Sequence, residues 1–173
     1  MDWEKVKQEM QREAQRAPVV RSILEGKGFS RLEAIREFYR MAREDIKAAG
    51  LAEWGIDPYE VDWLRLFTPI EFALWHDIRN ANAVLYPQYP VGRYFVDFGN
   101  PVAKVAIECD GAKWHQDAGK DLARQREIEE MGWRVYRVTG RDCKTDFDDE
   151  TLEKSAARKL IDRVVQNHGI GRG

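Results

Sequence analysis

The run Val105–Asp110, VAIECD, followed by Gly111, places two acids where a buried strand would continue apolar. A strand has a side-chain period of two, so Glu108 and Asp110 project from one face while Ile107 and Cys109 project from the other. Asp97 lies one hairpin earlier, in VDF, with Gly99, Asn100 and Pro101 between the two runs. Antiparallel pairing across that turn brings Asp97 beside Glu108 and Asp110. Neighbouring carboxylates repel unless a cation, a proton or a basic side chain offsets them. With Glu71 available from the segment before, the group is a hard-oxygen donor set suited to magnesium or manganese.

Lys113 and His115 follow the acids closely. A histidine titrates near neutrality and suits proton transfer, while Lys113 could neutralise the acids or activate water. Contacts to a phosphate backbone would come from Arg93, Lys104, Lys113, Lys120, Arg124, Arg137 and Arg141. Each residue also has a structural reading: Glu71 as a capping-box acid, Glu108 and Asp110 as a strand end before a turn, and Trp114, Trp133, Tyr136 and Cys109 as core.

The elements that position these residues follow from pattern. Thr68, Pro69 and Glu71 open a helix as N-cap, first helical position and capping-box acid. Segments near 84–89, 93–98, 104–110 and 133–139 read as strands, the first three an antiparallel meander punctuated by Gly, Asn and Pro. A helix ending at Gly132 separates the third from the fourth, and a last helix is expected from roughly Asp148 to Asn167. The order from Thr68 is α-β-β-β-α-β-α, an α/β (α+β) domain with helices flanking a mixed sheet. Ahead of it, residues 1–60 read as a helical region and connector, with breaks at Pro18 and at Glu25–Gly28. Within it, Phe29–Ala49 is the clearest helix, with Ser30 as cap and Glu33 as capping-box partner. Residues 50–66 hold Trp54, Tyr59 and Trp63 against the main body, residues 61–173.

Composition sets bounds. The 173 residues carry a formal net charge of −2, so any polyanion site must be local rather than a property of the whole surface. Two cysteines, three histidines and no C-x-x-C spacing argue against a disulfide framework and a structural zinc, and fit a reducing, cytoplasmic setting. No apolar run approaches a membrane span, and no membrane partner is expected.

The helix TPIEFALWHDIRN, Gln88 before YPVG, VDF, IECDG with a following histidine, and GWRVYRV resemble, in that order, the small PD-(D/E)XK nuclease-like proteins related to very-short-patch-repair (Vsr-like) endonucleases. The resemblance covers about Phe67 to Thr139. It implies a restriction-endonuclease-like core acting as a divalent-metal-dependent DNA endonuclease with Mg2+ or Mn2+ as cofactor. It assigns Asp97 and Glu108 as the metal-binding acids, Glu71 as the supporting helix carboxylate, and Asp110 as the E-x-D variant's replacement for lysine. His115 with Asp121 resembles the His and Asp of Vsr-like homing endonucleases. The zinc-binding residues of the mismatch-repair enzymes are absent, so mismatch recognition is not implied. Two rivals stay open: a non-cleaving nuclease-fold DNA-binding or regulatory module, and a protein-interaction or homodimerisation unit acting through the N-terminal helices.

Overall fold

A computed structural model describes residues 1–110, 118–143 and 153–173. Lys113, Trp114, His115 and the expected start of the last helix at 148–152 lie outside them. Among the described residues the chain forms α1 (Trp3–Glu25), α2 (Gly28–Ala49), α3 (Pro69–Asn80), β1 (Tyr86–Val91), β2 (Tyr94–Asn100), β3 (Val105–Asp110), α4 (Ala118–Glu130), β4 (Arg134–Thr139) and α5 (Ala156–His168). The sheet order is β1-β2-β3-β4, antiparallel between the first three strands and parallel between β3 and β4, with α4 as the crossover. This is the mixed-sheet α+β architecture expected.

Strand alternation dictates the layers. Ile107 packs with Phe98, Leu74 and Ile161 beneath α3 and α5, whereas its neighbour Ala106 packs with Val96, Ile128 and Trp133 beneath α4. A third cluster joins Ile35, Phe38 and Ile46 of α2 to Val84 and Tyr86, so the N-terminal helices cover β1. Asn100 fixes the β2–β3 turn: its buried amide donates to the carbonyls of Leu51 and Val84, and its Oδ1 accepts from the N–H groups of Val102 and Ala103.

Several local expectations change. Pro18 sits inside α1 instead of ending it. Arg16 before it and Ile23 after it lie seven residues apart on one helix face, and both are buried. Arg16 donates to both Glu60 carboxylate oxygens at 2.7 and 2.8 Å and stands 3.5 Å from Asp45, so tertiary anchors on both sides carry the helix through the proline. Since Pro18 is exposed, Pro18→Ala restores a backbone N–H without removing packing, and it is expected to stabilise the protein by about 1–3 kcal/mol in urea unfolding. An unchanged or lower midpoint would show that α1 gains nothing from a backbone N–H at residue 18.

α2 begins at Gly28 rather than Phe29. Ser30 stands inside the first turn, where its Oγ accepts from Lys27 N–H and donates to the Lys27 carbonyl, and Glu33 is not its partner. Trp63 is buried, but Tyr59 is 59% exposed and covers the Arg79 guanidinium instead of the body. β1 lies two residues later than expected, and α5 starts at Ala156 with Ser155 as N-cap, presenting Ala157, Ile161 and Val164 inward.

Candidate active site

The capping box at the start of α3 forms as its sequence pattern requires, with Thr68 N–H donating to Glu71 Oε1 at 3.0 Å and Glu71 N–H to Thr68 Oγ1 at 3.3 Å. That leaves Oε2 of Glu71 to accept from the Gln88 side-chain amide at 3.0 Å. The structural and functional readings of Glu71 therefore coexist in geometry: one oxygen caps the helix and the other faces the sheet.

Gln88 is the residue that composition and period did not single out for a role. Its φ is +51°, in the left-handed region that non-glycine residues rarely adopt. The β1–β2 register runs from Pro87↔Phe98 to Tyr89↔Val96, which sets Gln88 against Asp97. Val96 and Phe98 belong to different core clusters, although plain alternation would put them on one face. The interruption at Gln88 and Asp97 thus re-aims the strand, as bulges next to active sites do. No sequence signal beyond Gln88's place in the resemblance marks this strain. Gln88→Gly would relieve about 1–3 kcal/mol of backbone strain while releasing Glu71. Expected is a higher melting temperature with weaker binding of a divalent ion, read by metal-induced stabilisation; unchanged metal-induced stabilisation would remove Gln88 from the site.

β2 and β3 pair only as far as Phe98↔Ile107. Beyond that step, Asp97 substitutes its side chain for the ladder, with Oδ2 accepting from Cys109 N–H at 2.8 Å. Glu108 is almost fully buried on the face that α4 covers, and Arg124 of α4 reaches it there. The Arg124 Nη1 donates to Oε2 at 2.9 Å, and Nη2 stands 2.9 Å from Oε1 while donating to the Phe95 carbonyl at 2.8 Å. Oε1 thus receives charge but no directed hydrogen bond from a described residue. Burial, followed by the charges of Glu108 and Glu71, pushes the Asp97 carboxyl up to about 7, against the Cys109 N–H bond and Arg124, which oppose it.

Asp110 is partly buried, with Oδ1 3.4 Å from Arg137. Cys109 is half-buried rather than fully core, and its thiol is raised first by burial. Asp121 lies in the first turn of α4. Of the expected phosphate contacts, Arg93 pairs with Glu127, Lys104 donates to the Met131 carbonyl at 3.2 Å, and Lys120 and Arg141 are exposed. Arg124 and Arg137 instead turn toward the acids.

Does this donor set suit a divalent ion? Among the described residues no three acidic, histidine or cysteine side chains cluster to hold one. Asp97 and the orphaned Oε1 of Glu108 supply two hard oxygens, which matches magnesium's habit of using one or two carboxylates with water and substrate phosphate. The pair fits.

Residues 71–158, half of the chain and the span holding every one of these acids, match the family model REase_MTES_1575. The chain belongs to this restriction-endonuclease-like family. It is 30% identical over 111 residues to an uncharacterized protein of Haemophilus influenzae, covering 62% of each chain. It is also 29% identical over 102 residues to the uncharacterized protein YcjD of Escherichia coli, covering 57% of this chain and 86% of the relative. No solved structure matches. Restriction-endonuclease-like nucleases generally use divalent metals. No described helix is long and apolar enough to cross a membrane.

Proposed function

We propose that the chain is a divalent-metal-dependent DNA endonuclease of the E-x-D type, related to Vsr-like enzymes, with Mg2+ or Mn2+ held by Asp97 and Glu108 in residues 61–173. The observation that carries it is the juxtaposition of Asp97 with the buried, incompletely bonded Glu108 where β2 and β3 part, inside the family-matched segment. Bound there, a divalent cation supplies positive charge against phosphate oxygens in the transition state and acidifies water. The chain's own residues do the positioning. Cys109 N–H orients Asp97, Arg124 orients Glu108, and Gln88 orients Glu71 toward the same site. Asp110, whose Oδ1 lies 3.4 Å from Arg137, is assigned to the acid group on the resemblance. His115, with Lys113 and Asp121, is assigned to proton transfer and charge neutralisation on the resemblance.

One observation favours a second reading. Arg124 already neutralises Glu108, as it would in a nuclease fold that binds DNA without cutting it. Supercoiled plasmid, single-stranded DNA and RNA incubated with magnesium, manganese or chelator separate the two. Nicking or linearisation of DNA that chelator stops is expected; binding without a cut under every metal condition would favour the second reading.

A further inference from the structure

On the surface created by the N-terminal helices lies an open groove of about 700 Å³ between α2, the β1–β2 hairpin and the turn before β3. Its charge departs from that of the chain as a whole. Acids outnumber lysine and arginine across the sequence, yet among the described residues the groove is lined by Arg36, Arg40, Arg43, Lys47 and Lys104 and by no carboxylate. A concave wall of one sign focuses potential onto a ligand of the other sign.

The four α2 cations fall at intervals of four, three and four residues, which puts them along one helix face in steps of roughly 4.5–6 Å of rise. Such a row suits a repeating anion better than a single one. All five side chains are exposed. Arg40 is paired with the exposed Glu37. Among the described residues Lys104 meets a neutral carbonyl, and no carboxylate lies within ion-pair distance of Arg43 or Lys47. Two of the groove's three aromatic residues are buried, and half-buried Tyr89 is packed between them. Tyr39 is buried with its hydroxyl donating to the Pro87 carbonyl, and Trp133 is buried against Tyr89. Recognition here would be of backbone charge, not of bases.

The groove also adjoins the acid site. Arg36 donates to the Gly92 carbonyl and lies 4.8 Å over the Phe95 ring, while the Phe95 carbonyl accepts from Arg124, the partner of Glu108. One residue of β2 thus separates the groove wall from the site's own cation.

We infer that this groove, built by α2 against the β1–β2 hairpin, binds the sugar–phosphate backbone of a DNA strand through Arg36, Arg40, Arg43, Lys47 and Lys104. The inference rests on the DNA reading above and gives the N-terminal helices a part in it. A strand held there is positioned relative to the acids by a surface four of whose five cations lie ahead of the family-matched segment.

The test uses the full chain in chelator, so that cleavage does not intervene. Binding of a fluorescein-labelled 20-mer, as single strand and as duplex, is followed by anisotropy across a salt series. Arg43→Ala/Lys47→Ala is expected to weaken binding at least tenfold near 0.1 M salt. It should also flatten the slope of log affinity against log salt by about 1.8 for duplex or about 1.4 for single strand. Whichever form shows the loss is the form the groove holds. The control Arg21→Ala/Arg163→Ala removes the same charge from exposed positions elsewhere and should change the slope by much less. If wild type binds DNA and the groove variant matches it in affinity and slope, the groove inference is overturned while the nuclease reading stands. An equal loss in the control also overturns it. Absence of DNA binding by wild type at low salt would sink both. Groove-dependent binding of polyglutamate that DNA does not displace would assign the surface to an acidic protein instead.

Discussion

Asp97→Asn is expected to abolish metal-dependent cleavage and, in the same molecule, to make the metal-free protein harder to unfold at pH 8. The two effects share one cause. Burial raises the Asp97 carboxyl to about 7, the charges of Glu108 and Glu71 adding to it. In the unfolded chain the same group titrates near 4. Between those values the folded protein holds a proton that the unfolded chain has released, so this group's contribution to stability declines as pH rises from about 4 to 7 and is level above. A difference of about three pKa units is worth up to about 4 kcal/mol. Asparagine keeps an acceptor for Cys109 N–H and carries no charge to bury. Wild type and variant should therefore unfold alike near pH 4 and diverge toward pH 8, the variant being the more stable. Denaturant unfolding in chelator at pH 4.5, 6 and 8 checks this. A variant that is less stable at pH 8, or that parallels wild type across the range, would show that Asp97 is not held against its charge. Adding magnesium should close the gap by stabilising wild type alone.

Arg124→Met tests the other acid. The substitution leaves the Glu108 carboxylate buried beside Asp97 without its cation, and removing one member of a buried pair costs about 3–5 kcal/mol. If the acids form a metal site, magnesium or manganese substitutes for the lost charge, and the variant's melting temperature should rise on adding metal by more than wild type's. A variant whose deficit is unchanged in saturating manganese would mark the Arg124–Glu108 pair as structural and favour the non-cleaving reading. Glu108→Gln is the less clear substitution, because it strands Arg124 near the site and mixes a folding defect with a chemical one.

What could be read from the amino-acid order was whatever local geometry decides. The Thr68–Glu71 capping box and the alternation in VAIECD each depend on residues a few positions apart and formed as their patterns require, whereas the turn expected at Gly99–Pro101 falls at Pro101–Lys104, Gly99 and Asn100 being paired residues of β2. Pro18 misled because its cost is local while the anchors that outweigh it, Arg16 with Glu60 and Asp45, span more than twenty residues. Arg124 looked like a phosphate contact since nothing in a crossover helix announces which of its cations will turn inward. Gln88 was hidden most thoroughly: its strained φ and its place against Asp97 exist only once the β1–β2 register is set.

The packing of α2 over β1 has a consequence for anyone who trims this protein. The segment that homology delimits starts at residue 71, after both N-terminal helices, yet Val84 and Tyr86 within it are covered by Ile35, Phe38 and Ile46 from outside. Tyr39 also bonds to the Pro87 carbonyl, one residue before the strained Gln88. A fragment cut at the family boundary would present an uncovered apolar face along an edge strand, inviting self-association, and would free the backbone next to Gln88. Evolutionary kinship and mechanical integrity draw different borders here, and the second is the one an expression plasmid has to respect.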